Sequence, residues 1–294
     1  MSTANRKIAI VTDGACSITP AEGHDLGLEI IPIYINFELG EYLAGVNLSS
    51  DEFYRLLRQS KQLPKTSQPT AQDFLKVYSE LAKQVDEIVT VTVSHHLSAT
   101  IDSACMACQQ MPDFPIYVVD TQSVSMGQCL LALAALRAAR EGRSGEQIAR
   151  MVETLASRLE LICAVDTLEY LHKGGRIGGA TAFLGSALSI KPILYIKDGR
   201  IEPLERQRTR KRAIARLLEL LEERVGSQEI HAAVLHCDAA EEARDLAEQI
   251  SARFNCAEMH TVEAGPVIGT HAGPGTLGFT CYKSTDIPSA ESLG

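Results

Sequence analysis

The chain has 294 residues, of which 45% are hydrophobic and 22% charged, and it carries a net charge of −9. Such a length and balance suit two ordinary globular cores and argue against large-scale disorder. The acidic excess excludes a general nucleic-acid or anionic-membrane binder, which needs a dominant basic face, though a local anion site stays open. The opening MSTANRK leads straight into apolar IAIV, without the long apolar core and cleavage site of a secretory signal. No apolar run approaches the roughly 20 residues needed to span a bilayer. A cytoplasmic protein with no stable membrane insertion is therefore expected.

Apolar β-branched runs at 7–11, 29–35, 87–93 and 116–119 read as strands, and helical patterns at 51–60, 71–83, 101–111 and 126–141 alternate with them. Ser49 and Glu52 have capping-box spacing before the first of these helices, and Gly142 suits a stop after the last. Ser144 with Gln147 opens a further helix that bridges out of this region. Such alternation predicts an N-terminal α/β domain over residues 1–158, a mostly parallel sheet with helices on both faces. From 159 to 294 the pattern changes. A strand at 161–165 precedes the glycine-rich LHKGGRIGG and a short apolar helix at 181–189. PILYIKDGRIEPL reads as a hairpin turning at Asp198-Gly199. A helix at 210–224 carries Ile214, Leu217, Leu218, Leu221 and Val225 on one stripe. A strand at 231–236, a helix at 240–253 and strands at 258–262 and 278–282 complete a C-terminal α+β domain with a mixed sheet.

In an open parallel sheet, ligands bind beyond the carboxyl ends of the strands. Three such ends run into hydroxyl-rich loops: TDGACSIT, SHHLSAT and DTQSVSMG. In the second, Ser98 and Thr100 stand where a helix begins, a place that favours a carboxylate or phosphate; equally, Ser98 could simply cap that helix. In PKTSQPT the prolines hold the chain extended and could display Thr66 and Ser67, or the segment is only a turn with Thr70 as cap. RQRTRKR puts Arg210, Lys211 and Arg212 at a helix start, against the macrodipole, which suits either a visiting anion or a solvated surface.

Other features carry less. The eight cysteines are scattered through apolar segments and read as reduced core residues, so no disulfide is implied, and Cys105 and Cys108 lack the second pair a zinc site would need. GPGTLG at 273–278 fits G-x-G-x-x-G but has no βαβ unit around it, and no P-loop, HExxH or G-x-S-x-G is present. His95 and His96 are adjacent, so their rings should diverge as surface or capping groups. No cofactor and no metal are expected.

Eight segments in order resemble the DegV family: IVTDGACSI, PKTSQPT, the SxxLSxT loop with its SA, DTQSVSMG, LEYLHKGGRI, KPIL, RTRKRAI and GPVIGTHAGPGTLG. The resemblance implies a two-domain protein that buries a long-chain fatty acid such as palmitate, stearate or oleate. It further implies a carrier without turnover of its own, which presents the carboxylate to a separate ATP-dependent fatty acid kinase for acyl-phosphate formation in lipid metabolism. By the same resemblance, Thr66 and Ser98 hold the carboxylate. Arg176 lies near the head group, and Arg208 and His271 serve phosphoryl transfer or kinase contact. The chain departs from the family pattern at Ala99, where glycine is usual, and at TDGACSI, where a serine-rich form is usual, so the roles of Asp13 and Ser17 are open. A stand-alone phosphotransferase or a regulatory docking module are the alternatives; the absence of a nucleotide motif and of an acidic magnesium cluster weighs against the former.

Overall fold

In the computed structural model, which describes residues 6–38, 40–185 and 190–289, IAIV and its two successors become β1 (Ile8–Asp13). Thr19 and Glu22 then form a reciprocal capping box that starts α1 (Pro20–Leu26), a helix closed by Gly27 at φ 95°. The expected strand at 29–35 divides in two, as β2 (Leu28–Ile31) and β3 (Tyr34–Phe37). Pro32 lies between them and has no N–H to continue a ladder, which is the local reason for the break. Next come β4 (Gly40–Leu43), α2 (Ser50–Gln59), β5 (Lys65–Ser67) and α3 (Ala71–Leu81). β6 (Glu87–Thr92), α4 (Thr100–Cys108), β7 (Ile116–Asp120), α5 (Met126–Arg140) and α6 (Gly145–Ala156) follow. Ser49 Oγ accepts from Glu52 N at 3.3 Å, Ser144 and Gln147 form the full box, and Gly142 follows α5 with φ 84°.

β2, β1, β6 and β7 form one parallel sheet in that order. All six residues of β6 are buried, as befits a central strand covered on both faces. β4, β3 and β5 make a separate three-stranded antiparallel sheet. That small sheet was not foreseen. Its strands are three or four residues long, too short for an alternation pattern to register.

The second half supplies β8 (Glu160–Ala164), α7 (Glu169–Lys173), β9 (Lys191–Lys197), β10 (Arg200–Gln207), α8 (Arg210–Val225), β11 (Ile230–His236), α9 (Ala240–Arg253), β12 (Cys256–Glu263), α10 (Pro266–Ala272) and β13 (Leu277–Lys283). Of the helix expected at 181–189, the described part is a 3-10 turn, Gly178–Phe183; residues 186–189 lie outside the described residues. The hairpin is present, with Asp198 at φ 48° and Gly199 at φ 75°, the pair of positive dihedrals a tight hairpin turn requires. The six strands lie in the order β10-β9-β8-β13-β11-β12, antiparallel except for the β11–β12 pair.

Two cores explain the layering. Leu217, Leu218, Leu221 and Val225 of α8 pack with Leu246 and Ile250 of α9 on one face of the six-stranded sheet, against Ile162, Val234 and Phe279. Its other face meets α5. Twelve of the fifteen α5 residues are buried, the mark of a helix enclosed on all sides. They join Ile10, Val89 and Val119 of the parallel sheet to Leu161, Leu235 and Tyr282 of the mixed one in a single core. Arg137 of α5 adds polar ties, donating to Tyr282 Oη at 2.5 Å and pairing with Glu258 at 3.0 Å.

Candidate functional site

The order β2-β1-β6-β7 reverses direction between β1 and β6, and such a switch point opens a crevice at the strand ends. Asp13 occupies it. Its buried carboxylate accepts from Ala15 N at 3.0 Å and from Val93 N at 2.9 Å, tying the loops after β1 and β6 together. Burial pushes this carboxyl above its ordinary pKa, partly offset by those hydrogen bonds. Asp13 is thus a tether between loops and does not line the crevice itself.

Beyond the strand ends lies a cavity with about 990 Å³ of empty space, its open mouth included. The loops of the parallel sheet contribute Val93, Leu97 and Val124 to it. From the mixed sheet come Leu161 and Cys163, alternate residues of β8, while Ile162 and Ala164 face α8 and α9. Leu194, Ile201 and Leu235 extend the same apolar wall. The period-2 alternation of β8 therefore divides one strand between cavity and core.

Four of the five side chains singled out by resemblance line this cavity: Thr66, Ser98, Arg176 and His271. They arrive on four elements. Thr66 sits in β5, opposite Ile35 of β3, and its Oγ1 lies 2.8 Å from His271 Nε2 of α10. Arg176 follows α7 through the turn Gly174-Gly175, the latter at φ 72°, and its Nε donates back across to Leu97 O at 3.1 Å. Its Nη1 donates to Gly174 O at 2.8 Å. Ser98 Oγ shares a hydrogen bond with Thr100 Oγ1 at 2.8 Å. Gln68, which sequence reasoning passed over although it lies in the TSQP segment, also lines the cavity and reaches Ala99 O at 3.5 Å.

His271 is the most constrained of the set. Its Nδ1 is buried without a hydrogen-bond partner, and a Cβ at Gly174 would stand 2.7 Å from it, so only glycine fits beside the ring. Burial, with Arg176 nearby, pushes the imidazole pKa down to about 4. It is neutral at pH 7. The fixed positive charge at this end of the cavity is then the guanidinium of Arg176 alone among the four.

Several sequence expectations are settled by local geometry. The N-cap of α4 is Ala99, with φ −81° and no side-chain cap bond, so Ser98 does not cap the helix. Ala99 is unstrained where a glycine was usual. Thr70 does cap α3, in a box with Asp73, yet Thr66 is separately presented to the cavity. His95 and His96 are exposed, but their rings do not diverge: the centroids are 3.6 Å apart, and His95 Nδ1 meets Asp120 Oδ2 at 2.5 Å. Cys16, Cys129, Cys237 and Cys281 are buried as expected, whereas Cys105 is exposed on α4. GPGTLG is the turn from α10 into β13, with Gly273 and Gly275 at φ 78° and 80°.

Arg208 stands apart from the cavity, exposed in the short link between β10 and α8. Of its neighbours, Arg210 is held inside the fold by Glu242 of α9, Nη2 to Oε2 at 2.5 Å, which supplies the negative charge its position against the helix dipole asks for. Arg206 lies over the Phe183 ring at 4.3 Å. Among the described residues no group of three or more His, Cys, Asp or Glu side chains could hold a metal ion, and no helix is long and apolar enough to cross a membrane.

The α/β scaffold thus closes two sheets on a mostly apolar cavity, with hydroxyls, an imidazole and a guanidinium gathered at one part of it. A family model described as "Uncharacterised protein, DegV family" matches residues 7–284. Protein DegV of Bacillus subtilis is 34% identical over 279 residues, covering 94% of this chain and 99% of that one. A DegV domain-containing protein of Streptomyces coelicolor is 36% identical, covering 93% and 98%. Among solved structures, a DegV family protein from Thermus thermophilus, described for its fatty-acid binding, superposes with a TM-score of 0.89 at 34% identity, over 94% of this chain and 99% of that one. DegV of B. subtilis, described as a fatty acid binding protein, gives 0.87 at 34% identity, over 95% and 100%. The chain belongs to the DegV family.

Proposed function

We propose that this chain binds a long-chain fatty acid in the cavity, with the carboxylate at Thr66, Ser98 and Arg176, and presents it to a partner ATP-dependent kinase in the cytoplasm for acyl-phosphate formation. The observation that carries the reading is the confluence of Thr66, Ser98, Arg176 and His271 on one part of a cavity whose remaining lining is mostly apolar. The description of two relatives of the same fold as fatty-acid binders supports it.

The energetics divide the work. A buried acyl tail contributes about 0.8 kcal/mol per methylene, on the order of 10 kcal/mol gross for a long chain. A hydrogen bond to the charged carboxylate adds about 1.5–3 kcal/mol. The tail sets affinity and the polar groups set orientation. His271 is neutral and holds Thr66; Arg208, outside the cavity, is assigned to contact with the kinase. Residues 1–158 and 159–294 are taken as the two domains that close on the ligand.

Two measurements test this. Organic extraction and mass spectrometry of protein purified from bacteria should find a fatty acid of about C14–C18 in stoichiometric amount, a membrane-lipid chain length. Finding none, with no uptake of added acid, ends the reading. Incubation with ATP and acid should yield acyl phosphate only when a kinase is added; product without it would instead favour the stand-alone phosphotransferase.

A further inference from the structure

We propose that a partition made of Ser17, Ser125, Val267 and Ile268 sets the longest acyl chain that the cavity accepts, and that a second cavity behind it is an annex into which a longer chain would extend. The inference rests on the reading of the first cavity as a fatty-acid site.

The second cavity, with about 1020 Å³ of empty space including its mouth, lies between the loop after β1, the approach to α2 and the start of α10. Val267 and Ile268 of α10 line both cavities. The loop after β1 is also a common wall, with Ala15 on the acyl side and Gly14, Ser17 and Ile18 on the annex side. Ser125, at the N-terminal end of the enclosed helix α5, faces the acyl cavity, and its Oγ lies 2.7 Å from Ser17 Oγ. Its N–H donates to Ala15 O at 2.8 Å, so the pair also fixes the loop.

Both serines hold backbone conformations that favour glycine: Ser17 has φ 68° and ψ 18°, Ser125 φ 56° and ψ −139°. Strain of this kind persists where the surroundings over-determine it, often at ligand clamps. A third cavity also touches the acyl site, along Tyr195 and Ile196. That wall is β9, hydrogen-bonded in the sheet, and cannot part without breaking a ladder. The Ser17–Ser125 wall is made of side chains from one loop and the starts of α5 and α10, with no strand ladder across it. It is the wall that can give.

The annex is mixed in character: Ile18 and Val262 are apolar, while Ser49, Ser50 and Glu263 are polar. A methylene entering it therefore gains less than the about fourfold in affinity expected from full burial. The test titrates straight-chain saturated acids, from about C12 to about C24, into delipidated wild type, Ser125→Gly and Ser125→Gly/Ile268→Ala, with a thermal melt of each. Ser125→Gly relieves the positive φ and should fold at least as well as wild type. Wild-type affinity should rise with length to a cut-off and then fall; in the double variant the cut-off should move by about two carbons or more, with about a tenfold gain for the first acid that wild type rejects. An unchanged cut-off in both folded variants overturns the partition while leaving the fatty-acid reading intact. A wild type that takes up no acid of any length overturns that reading, and the partition with it.

Discussion

The polar part of the cavity and the arginine-rich start of α8 both offer hydrogen-bond donors to an anion, yet they are built in opposite ways. Thr66, Ser98, Arg176 and His271 come from four elements, and Thr66 meets His271 across 205 positions of sequence. They bring a single guanidinium, with hydroxyls and a neutral imidazole, to the wall of an apolar space. Arg206, Arg208, Lys211 and Arg212 are neighbours in sequence and exposed to solvent. The contrast teaches that a dense run of charge shows where a surface is basic, whereas holding one carboxylate beside an acyl tail takes a few donors with fixed directions and little water. Exposed charges are screened by salt and give little affinity each, while the same donors beside an apolar wall act at lower effective dielectric.

That comparison can be broken at several points. Arg176→Ala should have the largest effect: it removes the only charge of the set and its bonds to Leu97 O and Gly174 O. Fatty-acid affinity should fall on the order of a hundredfold, measured by calorimetry, with a lower melting temperature. Wild-type affinity in a folded variant would show that Arg176 is only a strut.

The second is a pH effect centred on the cavity. His271 has a folded pKa of about 4, below the ordinary value of 6.5, so between these pH values the unfolded chain binds the extra proton. Stability should therefore be fully present above pH 6.5 and decline as pH falls toward 4, by on the order of 3 kcal/mol from this group. His236, whose pKa burial also lowers, contributes in the same direction. Urea denaturation across that range should show the loss, and His271→Gln should flatten it. An unchanged slope in His271→Gln would mean that the imidazole is more solvated than its burial indicates.

A smaller effect is expected from Ser98→Ala, which deletes one hydroxyl donor for a cost of about 1–3 kcal/mol. Binding should weaken by about tenfold without being lost, since the tail term is several times larger, and the kinase-coupled rate should drop because the carboxylate is misoriented. The smallest effect on acid binding belongs to Arg208→Ala. Affinity should stay within about twofold of wild type, while acyl-phosphate formation by the kinase falls by about tenfold through loss of a charge-assisted contact. If Arg208→Ala loses the acid as badly as Ser98→Ala, the two regions are not separate in function.

Sequence alone determined what depends on neighbours along the chain. The alternation of β6 and β7 with α4 and α5, the stripe on α8, the hairpin at Asp198-Gly199 and the box at Ser144 and Gln147 each rest on contacts a few residues apart, and each was legible. Family resemblance named Thr66, Ser98, Arg176 and His271, but nothing in their spacing said that they would line one cavity. The small sheet of β3, β4 and β5, the close, tilted approach of the His95 and His96 rings and the Ser17–Ser125 bond were decided only by the tertiary structure. The physical reason is the same in each case. Periodicity reports the burial of one face over a single element, whereas these features depend on where separate elements come to rest. Ser125 shows it most plainly: no local rule places a serine at φ 56°, and it is held there by Ser17 and Ala15, more than a hundred residues earlier in the chain.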